Sequence, residues 1–241
     1  MCTVTFFPIE NGYVLTSSRD EKKHRPTLPP QSYSINGEDL IFPKDEEAGG
    51  TWIVTDKSNR TVCLLNGAFE NHIKQAHHTK SRGLIVLESF SFLNFPEFAS
   101  KVELENVEPF TLLLIDNNSA LNFTELRWDG IQKHICEIDV TVPKIWSSAT
   151  LYSKEIRKQR ENWFEQLLKI NTKLTAQELL NFHLSKHDNG SINDLVMERE
   201  NGLQTISVSQ IIENKAKKQF YYKDLTAQEE HTILISEKQF T

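Results

Sequence analysis

Along the first third of the chain, apolar residues come in short runs broken by turn residues, a pattern of strands rather than helices. Cys2–Phe7 (CTVTFF) and Tyr13–Ser18 (YVLTSS) flank Asn11-Gly12, a dipeptide that favours a tight hairpin. Asp39–Phe42, Thr51–Thr55 and Thr61–Leu65 read as further strands, and Gly49-Gly50 punctuates the approach to Trp52. The polar stretch with Pro26, Pro29 and Pro30 is too rich in proline for a helix or a central strand. Ser81–Phe92 predicts a helix with Ser81 as N-cap, against the resistance of β-branched Ile85 and Val86. Phe110–Ile115 (FTLLLI) is an apolar run of strand length, and Leu121–Trp128 and His134–Val140 alternate in part. The period then lengthens. Ile156, Arg160, Trp163, Phe164, Leu167 and Leu168 fall on one face of a helix over Ser153–Ile170. Thr175-Ala176-Gln177-Glu178 is a capping box that opens a second helix through Leu184. Thr205–Ile212 and Phe220–Lys223 predict closing strands, separated by a lysine-rich turn around Lys215–Lys218. An α+β architecture, two sheets packed together with helices outside, accommodates this order.

Composition narrows the function classes. At 241 residues the chain can bury one large core, and it is read as a single domain over 1–241. A net charge of −6 argues against a nucleic-acid or anionic-membrane surface. No apolar run reaches the roughly 18 residues that a membrane span requires. The start of the chain lacks the basic and long apolar regions of a signal peptide, so a cytoplasmic location is expected. Three cysteines (Cys2, Cys63 and Cys136) without paired spacing make neither a disulfide framework nor a zinc motif.

Cys2 carries the most specific chemistry. Removal of Met1, which a small second residue permits, would leave a thiol and a free α-amine on one residue. The amine titrates near pH 7.7–8.0 and is partly neutral at pH 7, whereas a free thiol, near 8.5, needs activation. Nucleophile and base would then come preassembled.

Five short segments, in order, resemble one family. Ser18-Arg19-Asp20-Glu21 is similar to the Asn-Arg-Asp-Glu signature of the NRDE family, also called the transport-and-Golgi-organisation protein two family. Met1-Cys2 resembles its start, and Gly49-Gly50-Thr51-Trp52-Ile53 its Gly-Gly-Thr-Trp motif; Asn66-Gly67 and Ser81-Arg82-Gly83 follow. Ser18 stands in place of the signature asparagine, and Thr205-Ile206-Ser207 in place of a Thr-Arg-Ser-like segment. The resemblance implies an N-terminal-nucleophile hydrolase-like fold, a four-layer αββα sandwich of two mainly antiparallel sheets. It implies Cys2 as nucleophile and base of a cysteine amidohydrolase, with Arg19 and Asp20 as its partners and Asn66 as oxyanion donor. Ser18, Glu21, Trp52 and Arg82 join them as binding candidates. The partner implied is a small molecule, with no resident cofactor. The alternative is a non-enzymatic cleft for haem, lipid or acyl-coenzyme A.

Strand geometry adds an expectation of its own. A two-residue Asn11-Gly12 loop pairs Val4 with Arg19 and sets Arg19 and Glu21 on the face of Cys2, with Asp20 pointing away; a longer loop or a bulge reverses this. Arg19 is expected beside Cys2, and the choice between Asp20 and Glu21 stays open. The remaining clusters read as structural. His72, His77 and His78 suit a solvated loop better than a metal site. Cys63 and Cys136 suit buried, inert thiols. Lys154, Arg157, Lys158 and Arg160 mostly decorate a polar helix face.

Overall fold

A computed structural model describes residues 3–171 and 173–237, so Cys2 lies outside the described residues. The strands are β1 (Thr3–Ile9), β2 (Gly12–Lys22), β3 (Thr27–Ile35), β4 (Glu38–Asp45), β5 (Ile53–Asp56), β6 (Arg60–Asn66), β7 (Phe110–Asp116), β8 (Asn122–Trp128), β9 (Lys133–Glu137), β10 (Lys144–Ser147), β11 (Leu203–Glu213), β12 (Lys217–Asp224) and β13 (Glu229–Glu237). The α-helices are α1 (Arg82–Glu88), α2 (Phe95–Lys101), α3 (Lys154–Ile170) and α4 (Ala176–Leu184). They form two compact units, one of Met1–His24 with Val142–Thr241 and one of Arg25–Thr141.

The first unit holds a six-stranded sheet in the order β10-β1-β2-β11-β12-β13, with α3 and α4. Every neighbouring pair runs antiparallel. The β1–β2 loop is Glu10-Asn11 rather than Asn11-Gly12, so Ile9 faces Gly12 and Val4 faces Ser17, not Arg19. Asn11 supplies the left-handed turn, with φ 57°. Gly12 serves a different need: a Cβ there would stand 1.8 Å from the Glu213 carbonyl oxygen on β11. The register shift is two residues, an even number, so faces are conserved. Ser17, Arg19 and Glu21 share the face of Val4, and Asp20 points to the other.

Both helices begin where their caps require. Ser153 accepts from the Ile156 amide, and Thr175 and Glu178 close the capping box reciprocally. Their apolar faces bury Phe164, Leu179 and Phe182 with Phe7 and Val14 of the hairpin. Arg160 corrects the expectation of a solvated helix face: it is 1 % exposed, because its position falls within the apolar stripe. Lys217 and Lys218 likewise belong to β12 rather than to a turn, and Lys218 is buried against Glu213.

The second unit is a seven-stranded antiparallel meander, β3 to β9 in chain order, with α1 and α2. The proline-rich stretch forms β3, a strand the sequence pattern did not predict. It lies at the sheet edge, and its register shifts between Leu28 and Gln31, around Pro29 and Pro30. Cys63 is buried, whereas Cys136 is exposed because β9 is the opposite edge strand, a correction to the expected buried thiol. Two of the recognised motifs meet here. The Thr51 amide donates to the Gly83 carbonyl at 3.2 Å, and a Cβ on Gly50 would stand 2.4 Å from the Gly83 carbonyl carbon. Those glycines are needed for the close approach of two backbones.

Candidate functional site

The chain start and the signature segment are neighbouring strands of the first unit. Thr3 pairs with Ser18, and Arg19 and Asp20 follow on β2. Alternation gives these residues two different surroundings.

On the face away from α3 and α4, Arg19 is 3 % exposed and stands opposite Ser207 of β11. Ser17 and Ser209 are register partners, and their buried hydroxyls have no hydrogen-bond partner among the described residues. Tyr222 pairs with Ser209 on the next strand. Burial pushes its phenol up to about 12, and the charge of Arg19 pulls the other way. Glu21 shares this face but is half-buried, and its carboxylate accepts from the Lys22 amide.

The helix-facing side is a layer of satisfied polar groups. Asp20 accepts from Tyr152 Oη at 2.6 Å and from Thr205 Oγ1 at 2.6 Å. Ser18 Oγ and Thr5 Oγ1 lie 2.8 Å from His183 Nδ1 and Nε2, respectively. Burial, with Arg160 and His187 nearby, pulls His183 from its ordinary 6.5 to about 3, so the ring is neutral. Gln210 donates to Thr16 Oγ1 and to the Ala176 carbonyl. Arg160 donates to Thr3 Oγ1. Its guanidinium also lies 3.6 Å from the centre of the Tyr152 ring. Where the signature has asparagine, Ser18 therefore engages a histidine. Ile206 is the extra residue of a bulge between Thr205 and Ser207.

Three further candidates lie in the second unit. Asn66 closes β6, half-buried and paired with Phe110. Trp52 is 3 % exposed, and its carbonyl accepts from the Leu64 amide. Arg82, the first residue of α1, donates to the Pro109 carbonyl and lies 3.6 Å from Glu108. His72 takes the other Glu108 oxygen at 3.3 Å. Among the described residues, no group of three histidine, cysteine or acidic side chains has a geometry fit for a metal ion. No described helix is long and apolar enough to cross a membrane.

Sequence reasoning missed His183, Arg160, Tyr152 and Thr205 as members of the site. Only spacing hinted at the first two: His183 follows Leu179 by one turn of α4, and Arg160 falls between Ile156 and Phe164 on α3.

A family model described as Transport and Golgi organisation 2 matches residues 1–239. Comparison with curated proteins gives no match. Among solved structures, penicillin V acylase from Agrobacterium tumefaciens is 11% identical with a TM-score of 0.56, covering 97% of this chain and 86% of that one. The C2A mutant of conjugated bile acid hydrolase from Clostridium perfringens is 7% identical with a TM-score of 0.57, covering 96% and 92%. The Caenorhabditis elegans ortholog of N-acylethanolamine-hydrolyzing acid amidase is 11% identical with a TM-score of 0.52, covering 88% and 92%. These are proteins of the N-terminal-nucleophile hydrolase fold, and the likeness shows that fold for this chain, two antiparallel sheets with few helices.

Proposed function

The chain belongs to the Transport and Golgi organisation 2 family, and from that premise we propose that it is a cysteine amidohydrolase acting on a small, non-peptide amide through Cys2. One observation carries the reading: β2 brings a buried arginine, Arg19, one residue beyond the Thr3–Ser18 pair at the start of β1. A guanidinium held dry beside the chain start favours a thiolate over a thiol. The proteins of like fold are named as a penicillin V acylase, a conjugated bile acid hydrolase and an N-acylethanolamine-hydrolyzing acid amidase, and the bile acid hydrolase was solved with cysteine 2 of its own chain replaced by alanine.

The chemistry follows from groups on one residue. After removal of Met1, the neutral α-amine takes the proton of the Cys2 thiol, and the sulfur adds to the amide carbonyl. The resulting ammonium returns that proton to the leaving nitrogen as the C–N bond breaks, leaving a thioester. Water then attacks the thioester with the amine again as base, and the carboxylic acid and the thiol are released. An oxyanion donor supplies an interaction whose loss costs about 10²–10³ in rate where it operates; the sequence candidate for that role, Asn66, belongs to the second unit.

Two measurements test this. Intact mass of the purified protein reports whether Met1 is removed; full retention would end the amine-as-base mechanism. Labelling with a β-lactam probe is expected to modify Cys2, to vanish in Cys2→Ala, and to slow by about 10²-fold in Arg19→Ala through misplacement of the thiol. Equal labelling of the parent and Cys2→Ala would overturn the assignment.

A further inference from the structure

Arg160 is the largest fully buried side chain of the first unit, and it carries a charge with no carboxylate partner among the described residues. Its hydrogen bonds go to neutral acceptors: the Asn193 carbonyl from Nε at 3.2 Å and Nη2 at 2.9 Å, the Asp194 carbonyl at 2.5 Å, and Thr3 Oγ1. The acceptor loop is itself anchored, because the Asp194 carboxylate takes amides of His187, Asp188, Gly190 and Leu195. Burying such a cation is costly, and an apolar side chain of similar volume commonly serves stability as well or better. Stability alone is therefore a poor account of an arginine here.

Its geometry suggests another. The planar fork ties the anchored loop to Thr3, the residue joined to Cys2 by one peptide bond. The same guanidinium stacks over Tyr152, whose hydroxyl holds Asp20, the neighbour of Arg19. Thr205 holds the other Asp20 oxygen from β11. One buried residue thus reaches the chain start on β1 and the signature segment on β2, from the face opposite Arg19.

We infer that Arg160 is a positioning residue for the Cys2 centre, fixing Thr3 directly and Asp20 through Tyr152. This rests on the reading of Cys2 as nucleophile, and its test separates the two. Arg160→Met, Arg160→Lys and Tyr152→Phe are compared with the full-length parent at equal folded fraction. The readouts are hydrogen exchange over residues 3–9 and the rate of Cys2 labelling by a β-lactam probe from pH 6 to 9.

Arg160→Met is expected to melt cooperatively, to exchange at least about tenfold faster at the start of β1, and to label about 10²-fold more slowly, the cost of a misplacement near 1 Å. Loss of the cation also moves its labelling midpoint to higher pH, whereas Arg160→Lys keeps the charge and holds the midpoint at the parent value. A merely stabilising arginine would change the melting temperature and leave the rate per folded molecule and the midpoint unmoved; that result overturns the inference. Should Arg160→Met fail to fold, Tyr152→Phe decides. It keeps the ring under the guanidinium and removes the hydroxyl that holds Asp20, and parent-like exchange and labelling in it would overturn the clamp. A parent that never labels removes the hydrolase reading instead, and Arg160 is then judged on exchange, where unchanged protection of β1 overturns it.

Discussion

Burial between the hydroxyls of Thr5 and Ser18, which can each donate or accept, keeps the His183 imidazole neutral, so that it donates through one nitrogen and accepts through the other. Its folded-state value near 3 lies below the ordinary 6.5, so the unfolded chain binds the extra proton between these limits. Stability from this residue is therefore complete above about pH 6.5 and is lost as pH falls towards 3, by up to about 1.4 kcal/mol per unit. Urea titrations of the parent and His183→Gln at pH 7, 6 and 5 are expected to converge as pH falls, because the glutamine variant lacks this slope. Parallel curves would contradict a neutral buried histidine. Sequence reading passed over His183, whose spacing puts it one turn after Leu179 on α4. Nothing in the local sequence points to Thr5 and Ser18 as its partners, since they lie 178 and 165 residues away. Arg160 and Lys218 were misread for the same reason: a charged side chain reads as solvated until the groups that satisfy it are known.

At the level of elements, the strongest local signals held. The capping box opens α4 at Ala176, Ser153 caps α3, and each strand expected from an apolar run is present with ends displaced by a few residues. The strands that escaped notice, β3, β10 and β13, are all edges of their sheets. An edge strand is half-solvated, so its pattern is mixed, and β3 accommodates prolines that a central strand excludes. Pairing between elements also sets two energetic expectations. Across β11 and β12, Lys218 Nζ lies 2.9 Å from Glu213 Oε2, and Tyr13 Oη donates to the same oxygen at 3.1 Å. Lys218→Met removes the cation from a buried carboxylate and is expected to cost about 3–5 kcal/mol in denaturant unfolding, with most of it recovered by adding Glu213→Met. Where Gly50 meets Gly83, Gly50→Ala forces one backbone to move, for an expected loss of about 1–3 kcal/mol in the same assay. A parent-like midpoint for that variant would show the contact to be slack.

For the whole molecule, resemblance and fold came from different information. Ordered motifs in the first 83 residues indicated the family, and the family model extends over residues 1–239. Structures only 7% and 11% identical share the fold, since packing constrains the pattern of buried positions far more than the identity of each residue. By itself, the sequence determined the period of most elements, the caps of α3 and α4, the family motifs, and Cys2 at the chain start, all properties of residues a few positions apart. Tertiary structure alone decided the hairpin register, which follows from the approach of β11 to Gly12, and the faces on which Arg19 and Asp20 stand. It alone gathered Arg160, Tyr152, His183 and Thr205 around the first two strands. The physical reason is that burying a polar group is tolerable only when its partners are in place, and here they come from segments separated by 132 to 185 residues.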